Sequence, residues 1–187
     1  MIKSKQHLKG FTLIELVLVI VLLGVLSSIA IARYADLSGE ATEAVVVAVQ
    51  NNLEAGYRNT QTRWRIDGAE GQDSNTNVDV DIDGIPVRFR NGIPISTADS
   101  DHVPVGTPNR GNAGTRLFFL FLNSPTPEIV ARTDSSSTGW AMFSGNANCA
   151  NLGIGARRRC WEYRQNGVAT HRIVYSGNTG EFAIETL

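Results

Sequence analysis

The sequence predicts an α+β fold: one long N-terminal helix, apolar in its first half and amphipathic in its second, packed on an antiparallel β-sheet head. Three observations carry this. An apolar run from Phe11 to Ala32 opens the chain, broken by a single charge, Glu15. Apolar positions then recur at three- and four-residue steps, with no proline before residue 86. The C-terminal third alternates β-rich runs with Asn- and Gly-containing turn signals.

The first element is the helix, expected over roughly residues 12 to 65. Its opening stretch, Phe11 to Ala32, would rise about 33 Å, close to the hydrocarbon thickness of a bilayer. Leu, Val and Ile lie on every side of it, which excludes a soluble amphipathic helix. All three lysines, Lys3, Lys5 and Lys9, precede it, and beyond Gly10 fourteen arginines face eighteen acids. That step in charge marks residues 1–10 as a separate basic leader, with the N-terminus kept cytoplasmic. An ordinary secretory signal fits less well, because the apolar core is too long and contains Glu15. A plain signal anchor fits physically but leaves Glu15 unexplained. Nothing in the overall charge points to nucleic-acid binding.

The second half of the helix carries Leu37, Ala41, Ala44, Val45, Ala48, Val49, Leu53 and Tyr57 as its expected buried stripe. Gly56 falls on the same face, where it would permit close packing. Residues 67–77, rich in Gly, Asp and Asn, are expected to end the helix.

The head begins with a hairpin. Val78, Val80 and Ile82 alternate with Asp79, Asp81 and Asp83, and Asp83-Gly84 is a turn signal before Val87 and Phe89. The same aspartates resemble the start of a D-x-D-x-D-G calcium loop, but Arg90 stands where a bidentate glutamate is required. The strand is therefore preferred, and no metal or cofactor is expected. Residues 94–115 read as loop. Residues 115–124, the most apolar of the head, fit a buried strand or a short helix, and periodicity does not decide; the helix is preferred, because Pro125 and Pro127 stop it and no turn signal suggests a partner strand. Residues 133–139 read as a surface loop. Residues 160–165, 170–175 and 181–186 read as a meander whose Trp161, Tyr163, Ile173, Tyr175, Phe182 and Ile184 face the helix.

Two cysteines, Cys149 and Cys160, fit a disulfide formed in an oxidising compartment; no second pair of ligands sits near enough for zinc. Arg157-Arg158-Arg159 reads as solvated charge, with contact to DNA, glycans or an acidic neighbour as the sharper alternative. No nucleophile–base motif, H-E-x-x-H or phosphate loop appears, so an enzyme is not expected. A membrane-anchored enzyme is the reading from another class.

Gly10-Phe11-Thr12-Leu13-Ile14-Glu15, after a short basic leader and before a long apolar run, resembles the prepilin processing motif of type IV pilins and the related pseudopilins. The resemblance implies a leader of residues 1–10, a transmembrane and assembly helix of residues 11–33, and a periplasmic head of residues 34–187. A prepilin peptidase would cut between Gly10 and Phe11 and N-methylate Phe11. Glu15 would then pair with the Phe11 ammonium of a neighbouring subunit, so that a charge costly in lipid finds its partner during assembly. The implied partners are other pilin subunits, the inner membrane and the pilus assembly machinery, with no specific nucleic acid. The implied location is the inner membrane and then an extracellular fibre of a Gram-negative bacterium. Many pilins carry a proline late in this helix; here the sequence reads Ile31-Ala32-Arg33, so a proline-centred kink is not expected. A disulfide-bounded C-terminal region is likewise similar to type IV pilins, and with the "CWEY" strand the layout most resembles the mannose-sensitive haemagglutinin (MSHA) class. The alternative is a pseudopilin of a type II secretion system.

Overall fold

The computed structural model describes residues 11–67, 77–122, 127–144, 149 and 152–187. Helix α1 runs from Leu13 to Ile66, 54 residues, uninterrupted through Ala32. Both ends agree with the sequence within one residue. Gly24, the helix's one strong weakener in the apolar half, costs about 1 kcal/mol relative to alanine, which a helix of this length absorbs. The expected terminator, residues 67–77, lies mostly outside the described residues.

By its internal contacts the chain forms two compact units, Met1–Val45 and Val46–Leu187. The second holds two antiparallel sheets. Strands β1 (Val78–Ile82), β2 (Ile85–Arg90) and β3 (Ile93–Thr97) form one, in that order. Strands β4 (Gly139–Ser144), β5 (Arg158–Gln165), β6 (Val168–Ser176) and β7 (Phe182–Thr186) form the other, also in chain order. A short helix, α2 (Ala113–Leu122), lies between them in sequence.

The hairpin is built as expected. Asp83 and Gly84 both take left-handed φ angles, 53° and 85°, and Ile82 pairs with Ile85 across them. The two positive φ angles match a turn whose twist suits a right-handed sheet. Asn91 and Gly92 repeat the device at φ 52° and 73° and lead into β3. Here the sequence reading is corrected: residues 94–115 are not all loop, since Ile93–Thr97 is a strand and α2 already starts at Ala113. Pro94 is tolerated because β3 is an edge strand. Strand β4 is a further addition, pairing Trp140 with Tyr163 and Met142 with Trp161.

One core unites the second half of α1, α2 and both sheets. Val46, Val49 and Leu53 from α1 meet Leu117, Phe118 and Phe121 from α2. Trp161, Ile173 and Tyr175 are fully buried there, and Tyr163, Phe182 and Ile184 pack against the same cluster, as the alternation required. Tyr57 sits edge-on to Phe121, Tyr175 and Phe182, with centroids 5.8–6.0 Å away. Tyr175 Oη donates to Pro94 O at 2.7 Å and ties the two sheets together. Burial raises the Tyr175 phenol well above its ordinary value.

The buried stripe of α1 needs a second correction. Val49, Leu53 and, in part, Tyr57 do point into the core, but Leu37, Ala41, Ala44, Val45 and Ala48 are exposed. Thr42 and Val46 are buried instead. Val45 and Val46 are chemically identical and both fall near the face defined by Val49 and Leu53, so the three- and four-residue spacing alone does not choose between them.

Candidate functional site

The apolar start of α1 is the distinctive feature of the chain. Its membrane-length window carries no buried residue, and it is long and apolar enough to cross a membrane. Phe11 is 78% exposed and Leu13 79%. Of the expected processing pair, Phe11 lies just before the helix, and Gly10 lies outside the described residues.

Glu15 has a partner that the sequence reading missed. Thr12 is the residue before the first helical turn, and its backbone N–H donates to Glu15 Oε2 at 2.8 Å. The Thr12 hydroxyl donates to the same oxygen at 2.7 Å, and Glu15 N donates back to Thr12 Oγ1 at 3.3 Å. This is a capping box: the residue before the helix and the third residue inside it satisfy each other's open donors. Its signal, Thr-x-x-Glu before an apolar run, was readable in the sequence. The box fixes where α1 begins and holds the carboxylate at the helix N-terminus, where the helix dipole favours negative charge. A carboxylate accepts more than two hydrogen bonds, so the box does not exhaust Glu15.

At the far end of the chain Cys149 and Cys160 form a disulfide across a Cα–Cα distance of 5.6 Å. It ties the segment before β5 to the strand itself. A second cluster lies there, with Phe143, Cys160 and Val174 beneath Cys149 and Ile154. Arg157, Arg158 and Arg159 follow the loop directly. Arg158 Nη1 donates to Gly155 O at 2.8 Å, and Arg159 Nη2 reaches Ile95 O at 3.4 Å. Burial pushes the Arg159 guanidinium down from its ordinary value, and the Arg157 and Arg116 charges act the same way. The run is therefore partly built into the head and is not simply a solvated face.

The aspartates of the first hairpin are engaged elsewhere. Asp79 accepts two hydrogen bonds from Arg88, each 2.8 Å, and these hold its carboxyl below the ordinary range. Asp81 Oδ1 accepts from Gly84 N at 2.7 Å, and Asp83 meets Arg63 at 3.3 Å. Among the described residues no group of three or more His, Cys, Asp or Glu is arranged to hold a metal. His102 meets the Arg116 carbonyl at 3.0 Å, and His171 the Thr170 hydroxyl at 3.1 Å.

Residues 6–31 match the family described as the prokaryotic N-terminal methylation motif. The type IV narrow pilus major component PilA5 of Thermus thermophilus is 47% identical over 49 residues, 26% of this chain and 42% of that protein. A fimbrial protein of Neisseria meningitidis is 33% identical over 104 residues, 51% of this chain and 58% of the relative. This chain thus spans about half the length of each of those two relatives. The type IV major pilin protein PilE1 of Neisseria gonorrhoeae is 31% identical over 151 residues, 70% of this chain and 78% of the relative. No solved structure matches the chain. These relatives are fibre proteins and not enzymes. With a methylation motif at the head of an uncapped-by-core apolar helix, and a relative aligned over most of both chains, the protein belongs to the type IV pilin family.

Proposed function

We propose that this chain is a structural subunit of a bacterial type IV pilus of the MSHA kind, serving surface attachment. The reading rests on one observation above all: Thr12 and Glu15 are linked at the start of an apolar span in which no residue is buried. The leader, residues 1–10, is removed by a prepilin peptidase between Gly10 and Phe11, and Phe11 is N-methylated. The helix of residues 11–33 then holds the subunit in the inner membrane, N-terminus cytoplasmic, until the assembly machinery draws it into the fibre. Residues 34–187 form the head, periplasmic first and extracellular after assembly. The Cys149–Cys160 disulfide supports this reading over a pseudopilin.

Glu15 acts twice in this scheme. In the monomer its bonds to Thr12 offset part of the several kcal/mol that a lone carboxylate costs in hydrocarbon. In the fibre it pairs with the Phe11 ammonium of a neighbour, a charge that exists only after cleavage. Two variants separate the roles. Glu15→Gln retains a side chain able to close the capping box but has no charge, and Glu15→Val loses both. Both variants should insert in the membrane, and both should reduce sheared fibres at least tenfold. Full piliation from Glu15→Gln as sole subunit would overturn the charge pairing. Mass spectrometry of wild-type sheared fibres should find a peptide beginning at methylated Phe11. Absence of fibres together with a secretion defect would favour the pseudopilin.

A further inference from the structure

Residues 98–112 fold into a braced loop on the head. Val103 is buried at its base; its N–H donates to Ser100 O at 3.0 Å, and its carbonyl accepts from Arg110 Nε at 2.8 Å. Further out, Thr107 N donates to Pro104 O at 3.2 Å, and Gly106 takes a left-handed φ of 90°. That bond and that angle match a type II turn with Val105 and Gly106 at its centre. Val105 stands at the tip, 92% exposed. The loop therefore presents a fixed apolar knob.

A lone exposed valine is ordinary on a protein surface; a complementary cavity beside it is not. A cavity of about 330 Å³ begins on the same loop, and its lining includes Pro108, Ala131, Arg132 and the buried Met142 and Phe143. Val105 and Pro108 are three residues apart, so their Cα atoms lie within ~11 Å of each other. Opposite charges flank the two features. The Arg132 guanidinium lies 4.7 Å over the Phe143 ring and, among the described residues, forms no ion pair. Asp101 lies four residues before the tip with its side chain 91% exposed, and Arg110 reaches it at 3.7 Å. A contact that long leaves the carboxylate oxygens open to further donors.

We propose that the knob and the cavity form a face-to-face contact between the heads of two copies of this chain, and that this contact joins neighbouring fibres side by side. Knob and cavity adjoin, so two heads related by a two-fold axis seat both knobs at once. Arg132 of each head then faces Asp101 of the other, and such charge complementarity fixes register. The braced loop has little freedom left to lose on docking. Subunits of one fibre all point the same way, whereas a two-fold axis reverses direction, so the two heads belong to different fibres. One such contact is smaller than a stable interface, but fibres lying side by side repeat it many times, and linked weak contacts gain strongly in avidity. The contact rests on the fibre reading above and deepens it.

The test uses sheared fibres of the full chain. Electron micrographs should show fibres of the unaltered chain lying in bundles. Arg132→Asp and Asp101→Arg should each release single fibres, with fibre yield and unfolding midpoint near those of the parent. The two reversals combined should restore the bundles, because the charges again oppose. Val105→Cys with Thr133→Cys then places two thiols in a chain whose own cysteines are bonded to each other. A short bismaleimide should link these fibres into dimers roughly tenfold more than either single variant, and the linkage should stop at the dimer, as a two-fold contact requires. A ladder of larger multimers, bundles that survive Arg132→Asp, or single fibres from the unaltered chain would each overturn the proposal and leave the fibre reading standing. An unaltered chain that makes no fibres would overturn both.

Discussion

Glu162 is the most consequential buried charge in the head. Its side chain is 7% exposed, and its carboxylate meets Arg172 at 2.6 Å and Arg164 at 3.5 Å; Arg172 also reaches Glu185 at 3.0 Å. Register explains the group, since Glu162, Arg172 and Glu185 are direct neighbours across β5, β6 and β7. Removing one member leaves poorly hydrated charge behind. Glu162→Gln should therefore destabilise the chain by about 3 kcal/mol, read from urea unfolding. A loss under about 0.5 kcal/mol would mean that water, and not Glu162, satisfies the two arginines. Asp134 makes a contrasting case on the surface. Ser137 and Ser136 hydroxyls and amides converge on its carboxylate, Ser137 first, and hold its pKa at about 2. A depressed folded value means that its contribution is complete above the unfolded carboxylate range and is lost as pH falls towards 2. A carboxyl carbon titration should place its midpoint near 2, and Ser137→Ala should move that midpoint upwards.

At the scale of elements, α1 and α2 meet at a glycine. A Cβ on Gly56 would lie 1.9 Å from the Phe121 carbonyl oxygen, whereas one on Gly39 would meet nothing within 4 Å. Gly56→Ala should cost about 1–3 kcal/mol despite alanine's better helix propensity, and Gly39→Ala should cost nothing. Thermal unfolding of the pair checks both. The run that forms α2 was legible as apolar and stopped by prolines, but not as helix rather than strand; Gly56 was legible as a close-packing position, and so were α1, the first hairpin and the meander. Each of these has a strong period or a strong stop signal. Strand β3 was not legible, because Pro94 looks like loop punctuation unless the strand is known to lie at an edge. Strand β4 begins straight after a Ser- and Thr-rich turn and lacks a clean alternation of its own. The capping box was legible as Thr12-x-x-Glu15 but was masked by the membrane reading of the same residues.

Across the whole molecule, the corrected phase of α1 divides one expected stripe into two faces with different tasks. Val46, Val49 and Leu53 serve the head. Leu37, Ala41, Ala44 and Ala48, spaced by four, three and four residues, share a second face, and all four are exposed. This face is apolar and small, and it continues the character of the run from Leu16 to Ala32. An apolar helix face that the folded chain does not cover gains from burial against another helix, about 25 cal/mol per Å² removed from water. Small side chains let helices approach closely, so a neighbouring subunit's α1 is the partner that fits the fibre proposed above. Charges placed there should then spare folding and block assembly. Ala41→Glu with Ala48→Glu should leave the unfolding midpoint and the head unchanged, because neither position is buried in the chain. The same pair should abolish sheared fibres, since the carboxylates would enter the subunit contact without partners. Wild-type fibre yield from the double variant would show that this face remains in solvent and that subunits meet through residues 11–33 alone.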